Sequence, residues 1–252
     1  MTPQLATNAS KLADEINQLL LMNNVDTFTL ARLEREIDKL LQRDAFNAYV
    51  LRGALAGLKH DLQAIHESYR TALKLAIIKE DRVTVFSNYA SALEWNGYFS
   101  EAVKLAMESY KVFPSAYLLQ RSIELALKTG LFHQAADLIR KHPDEQIDGS
   151  HAYFQTEQFM DEHAVSDELL QKLIEIAIAV LHKCGFFNFH RDDMIRPEYD
   201  KDEDSQLFYY IITVNRSMEE VIDMNYELAC EIAKSGLPTT LTLNFIPVYE
   251  VA

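Results

Sequence analysis

The sequence predicts a mostly α-helical protein, an α-solenoid of helical hairpins followed by a small α/β C-terminal unit ordered strand, strand, helix, strand. Three observations predict it. Apolar residues recur at helical spacing through the first two thirds of the chain. Seven Gly and six Pro in 252 residues are too few for a loop-rich all-β fold, which uses both freely at turns. A β-branched and aromatic run, LFYYIITV at 207–214, appears only near the C-terminus. Hydrophobic residues at 48% and charged residues at 25% are those of a folded domain, which excludes chain-wide disorder.

In chain order, Leu12, Ile16, Leu19 and Leu20 form one stripe on a helix starting near Ser10. Asp26-Thr27 offers N-cap oxygens to a second helix that carries Leu30, Leu33, Ile37, Leu40 and Leu41. Asn23-Asn24 reads as the turn between them, and so short a loop makes the two helices antiparallel neighbours.

The segment FSNYASALEWNGYFSEAVKLAMESYKVFP, residues 86–114, is the clearest hairpin. Tyr89, Ala90 and Leu93 share a face of its first helix, Gly97 and Phe99 make the turn, and Ala102 and Ala106 line the second helix up to Pro114. The frame returns 33 residues later as Leu119, Ala126, Gly130-x-Phe132, Ala135 and Ile139, with Pro143 behind it. Upstream it returns as Tyr49, Gly53, Ala56, Leu62, Ile65, Tyr69 and Ala72, with His60 in place of the turn glycine.

These residues resemble the tetratricopeptide repeat, a 34-residue helical hairpin with an aromatic, Gly-x-aromatic, Ala and Pro pattern. The match rests on Phe86, Gly97, Phe99, Ala102 and Pro114, and departs from the pattern at Ala90, Leu93 and Ser109. The resemblance covers roughly residues 8 to 143. It implies a curved stack whose concave face holds a protein segment, with Asn47, Asn88, Glu94, Arg121, Glu124 and Lys128 pointing into it. Trp95 follows Glu94 and is either a core residue or a binding anchor. Members that clamp a C-terminal carboxylate use several groove Lys, Arg and Asn residues. Asn88 and Arg121 fit that scheme, whereas Ser87, Ser91 and Gln120 depart from it.

HPDEQIDGSH (142–151) is a charged break, which divides the chain into a repeat domain at 1–149 and a C-terminal domain at 150–252. In the latter, Ser166 caps a helix running to Cys184. Phe187 and Phe189 alternate with polar residues as a short strand would, and RDDMIRPEYDKDEDSQ reads as a polar loop. Ser217 and Glu220 form a capping box that opens a helix to about Lys234, stopped by Ser235-Gly236-Leu237-Pro238. TLTLNFIPVYEV (240–251) alternates as a strand, and Pro247 places it at a sheet edge. The two long strands flank one helix and are expected to be parallel.

Net charge is −14, which repels phosphate backbones and suits a basic protein or peptide partner. No signal-peptide pattern opens MTPQLATNASKLADEI, and the apolar IAIAV before Leu181 is far too short to span a bilayer. With only Cys184 and Cys230, the expectation is a cytoplasmic protein without a disulfide framework, membrane contact or cofactor. It is read as a scaffold, adaptor or neutralising partner rather than an enzyme. A homodimer through the open edges of the C-terminal sheet is a further expectation.

The alternative is a small metal-dependent hydrolase using His190, Asp192 and Asp193, near His182 and Cys184. That spacing matches no metal motif. His182 and Cys184 are two apart on a helix and so face different sides.

Overall fold

The computed structural model describes residues 3–20, 22, 25–145, 147, 150–187, 189, 195–201 and 206–252. Among them it contains twelve helices and a three-stranded sheet, so the protein is mostly α with a small strand-containing C-terminal part. The chain divides into two compact units. One runs up to Pro114 and includes Phe189; the other holds Ser115–Phe187 and the chain from Ile195 onward. The charged break at 142–151 thus falls inside the second unit.

The first unit is six helices: α1 (Pro3–Leu20), α2 (Thr27–Leu41), α3 (Ala45–Leu58), α4 (Leu62–Leu75), α5 (Lys79–Trp95) and α6 (Phe99–Val112). Asp26, Asp44 and Asp61 cap α2, α3 and α4, each accepting a backbone N–H three residues on. Helix α1 begins at Pro3 rather than near Ser10, and the Asn23-Asn24 turn lies outside the described residues. Ile16, Leu33, Ile37, Leu40, Ala48, Leu51 and Leu55 make its first core cluster, with Trp95 packed against it. Helix α3 touches both α1 and α5, so the first helices of successive hairpins form a row.

The second unit opens with α7 (Ala116–Lys128) and α8 (Phe132–Lys141), the last hairpin of the repeating frame. It continues with α9 (Ser150–Glu162), α10 (Asp167–Lys183), β1 (Ile195–Lys201), β2 (Gln206–Val214), α11 (Met218–Lys234), α12 (Thr239–Asn244) and β3 (Phe245–Val251). The sheet order is β1-β2-β3; β2 pairs antiparallel with β1 and parallel with β3, as two strands flanking a helix are expected to. Phe208 of β2 faces Phe245 of β3 in register, ring centroids 5.3 Å apart. Phe132 of α8 meets Phe208 edge-on at 5.7 Å, and Phe159 of α9 packs tilted against Phe245 at 5.1 Å.

Four readings of the tail change. Residues 195–201, read as polar loop, form β1: an edge strand tolerates charge and a proline such as Pro197 because one side makes no ladder. No strand forms at Phe187 or Phe189. Phe187 stacks on His182 at 4.8 Å, and Phe189 sits edge-on to Phe99 at 5.3 Å in the first unit. Residues 239–244 turn as α12 after Pro238, burying Leu241 and exposing Leu243, so the last strand starts only at Phe245. Helix α9 stands where no element was read. Its apolar residues Tyr153, Phe159 and Met160 are interspersed with charge and carry no clean period.

One device ends five helices. The N–H of Asp61, Tyr98, Leu131, Val165 and Phe186 each donates to the carbonyl five residues back, at 2.8–3.0 Å. The residue before each is left-handed: His60, Gly97, Gly130, Ala164 and Gly185. This is the helix-ending turn that satisfies orphan carbonyls and normally selects glycine. Ala164 is exposed at φ 53°, where its Cβ strains the backbone. Replacing it with glycine is expected to raise stability by about 1 kcal/mol, read by urea unfolding; a loss would contradict the account.

Gly53 is the reverse case. A Cβ there would lie 2.5–2.7 Å from ring carbons of the buried Tyr69, itself stacked on Tyr89 at 5.1 Å. Gly53→Ala should destabilise by ~1–3 kcal/mol through overpacking, although helix propensity alone favours alanine by about 1 kcal/mol. A gain in midpoint on denaturation would show that the ring yields at no cost.

Candidate interaction surface

The seven residues read as partner-binding divide between the two units: Asn47, Asn88, Glu94 and Trp95 in the first, Arg121, Glu124 and Lys128 in the second. Asn88 is exposed on α5. Asn47, half-buried in the first turn of α3, completes a cap: its amide N–H and its Nδ2 both donate to the Asp44 carboxylate, at 3.2 and 2.8 Å. Glu94 is only 2% exposed. Trp95 is half-buried against the core, and its carbonyl accepts the Phe189 N–H at 3.0 Å.

In the second unit, Arg121 is largely buried, its Nη1 3.5 Å from Glu124 Oε2 on the next turn of α7. Glu124 also accepts from Gln120 Nε2 at 3.0 Å. Burial, with the Glu124 charge adding to it, pushes the Tyr153 hydroxyl up to about 12. Lys128 is buried, and its carbonyl accepts the Tyr210 hydroxyl. A spacing that places a residue on a helix face does not say whether a neighbouring helix covers that face.

Two titratable clusters were not foreseen. In the first unit, His66 of α4 lies with its Nδ1 2.5 Å from the Tyr89 hydroxyl and its Nε2 3.3 Å from Glu101 Oε2. Burial raises the Tyr89 pKa, Arg70 lowers it and Glu101 raises it again. In the second unit, His133 at the start of α8 sits between two carboxylates. Its Nδ1 is 2.8 Å from Asp167 and its Nε2 3.1 Å from Asp161. The Asp167 carboxylate also accepts the N–H groups of His133 and Gln134, at 3.0 and 3.1 Å.

Helix α8 has no side-chain cap of its own at Leu131, so Asp167, 34 residues away, caps it from α10. From sequence, Asp167 is legible only as an acid favouring the start of its own helix. Burial disfavours the His133 imidazolium, but hydrogen bonds to Asp167 and Asp161 outweigh it and hold the pKa above the ordinary value.

His190, Asp192 and Asp193 lie outside the described residues. Among the described residues no cluster of His, Cys, Asp or Glu is arranged to hold a metal ion, and no helix is long and apolar enough to cross a membrane. Comparison with protein-family models, curated proteins and solved structures finds no match for the chain.

Because His133 is more basic in the folded protein, its contribution is fully present below its unfolded pKa near 6.5. It is lost as pH rises through the folded pKa. Asp167→Ala should remove the α8 cap, at a cost of about 1 kcal/mol, and most of this pH-dependent part with it. The stability gap between wild type and variant should therefore be wider at pH 5.5 than at pH 8.5 in urea unfolding. A gap that is equal or widens at the higher pH contradicts the assignment.

Proposed function

We propose that the protein is an interaction module, an adaptor, scaffold or neutralising partner, that holds a protein segment on the first helices of its hairpins. The observation that carries this is the row of α1, α3 and α5 in the first unit, in which α3 touches both neighbours. In hairpin stacks with close-set first helices, that side is the concave one and offers an extended surface to a peptide or helix. Asn88 lies exposed on α5. Asparagine there offers a donor and an acceptor to a peptide backbone without imposing charge. The net charge of −14 favours a basic segment.

The likeness of the three hairpins to tetratricopeptide repeats belongs to the same reading. The frame around Gly53, Gly97 and Gly130 falls on helix pairs α3–α4, α5–α6 and α7–α8. A second copy is proposed to pair through β1. On the opposite edge, Asn225 already engages the Tyr249 backbone, donating to its carbonyl and accepting its N–H, each at 2.9 Å.

The test is affinity capture from the native host at two salt concentrations, with wild type and Asn88→Arg compared by quantitative mass spectrometry. The arginine points into solvent and leaves the fold intact, which circular dichroism checks. The account expects one protein enriched by the wild type, reduced at least about tenfold by Asn88→Arg and weakened by salt. Equal capture by both proteins rules out the α1–α3–α5 row.

A further inference from the structure

Helix α11 carries two apolar faces. Val221, Met224 and Leu228 are buried, and α11 packs on α10 and β3. A second face is formed by Met218, Ile222 and Tyr226, which are 63%, 60% and 73% exposed, and continues through exposed Ala229 and Ala233. The spacing is four, four, three and four residues. That keeps all five within one stripe over about four helical turns, the pattern of a seam on which a partner helix packs. A solvent-facing helix side normally carries charge, so three large apolar residues in line there mark a contact surface.

The flank of the stripe says what kind of helix fits. Glu219 and Asp223 stand exposed along one side of it. Other acids of α11 are engaged: Glu227 pairs with Lys183, Glu231 with Lys234, and Glu220 with Arg216 and the Ser217 cap. Among the described residues no cation pairs with Glu219 or Asp223. Their charge is left for a partner.

We infer that the outer face of α11 is a docking site for an amphipathic helix whose apolar stripe is bordered by Lys or Arg. A second copy of this chain fits poorly. Two such stripes laid antiparallel about a two-fold axis bring the acidic flanks to the same side, and each copy carries −14. This surface lies on the second unit and stands independently of the α1–α3–α5 row. Loss of capture by Asn88→Arg and loss of docking on α11 are separate results.

The experiment titrates the full chain with two synthetic 21-residue helical peptides. They share one leucine stripe and differ in flanks, Lys in one and Glu in the other. Fluorescence anisotropy gives the affinity, and sedimentation velocity gives the oligomeric state. The Lys-flanked peptide should bind at least ~30-fold more tightly than the Glu-flanked one. The neutral double change Ile222→Ser with Tyr226→Ser should weaken it at least about tenfold without altering net charge. Glu219→Gln with Asp223→Asn should weaken it several-fold and flatten its salt dependence.

Both variants change exposed side chains, and a thermal melt confirms the fold. Three outcomes overturn the proposal: equal binding of the two peptides; an affinity that the serine pair leaves unchanged, which marks attraction to the acidic chain at large; or a dimer that the serine pair dissolves, which makes the occupant a second copy.

Discussion

The structure depends on one tight reversal, the turn that folds the second helix back on the first in α3–α4, α5–α6 and α7–α8. Once a left-handed residue sits at 60, 97 or 130, the next residue's N–H closes on the carbonyl five back, and the chain leaves the helix in a fixed direction. Pairing within the hairpin, the contact of α3 with α5, and the packing of Tyr69 against Gly53 all presuppose that exit. Two of the three hairpin turns use glycine. The third uses His60, whose Nδ1 lies 2.6 Å from Asn96 Oδ1, so a side-chain bond offsets part of the backbone strain.

The second unit is held by a different principle. Its small sheet has no room for a large core of its own, and aromatic side chains tie it to helices. The hydroxyl of Tyr210 reaches the Lys128 carbonyl on α7, and that of Tyr249 reaches the Ala177 carbonyl on α10 at 2.5 Å. Both tyrosines are buried, so each bond is made away from competing water, and an unmade one would leave a hydroxyl unsatisfied. Asn225 ties α11 to the outer strand β3 as well, through two bonds to the Tyr249 backbone.

What the sequence discloses follows from the range of each interaction. The hairpins were legible because caps, turns and apolar spacing act within about five residues: Asp26, Gly97 and Ser217 all do locally what their types suggest. The parallel pairing of β2 with β3 was legible from strand, helix, strand order. Elements that depend on distant partners were not. Strand β1 is polar and exists by pairing with β2, and α9 lacks a clean period because Phe159 packs on Phe245 of the sheet. For the site residues, helical spacing placed Asn88 on an exposed face but could not show that Glu94 and Lys128 would be covered. Nor could it show that Asp167 would serve α8 rather than its own helix alone. The outer stripe of α11 was not read from the sequence, because spacing alone does not separate it from the inner one and only burial does.

The central claim is that this chain works by holding another protein on the helical faces it leaves open. Hydrogen–deuterium exchange on the full chain, with and without its captured partner, tests that most directly. The account predicts slowed exchange in α3 and α5 on binding, with α4 and α6, the second helices of the same hairpins, unchanged. Protection confined to β1 and β2, or spread evenly over both helices of each hairpin, would contradict it.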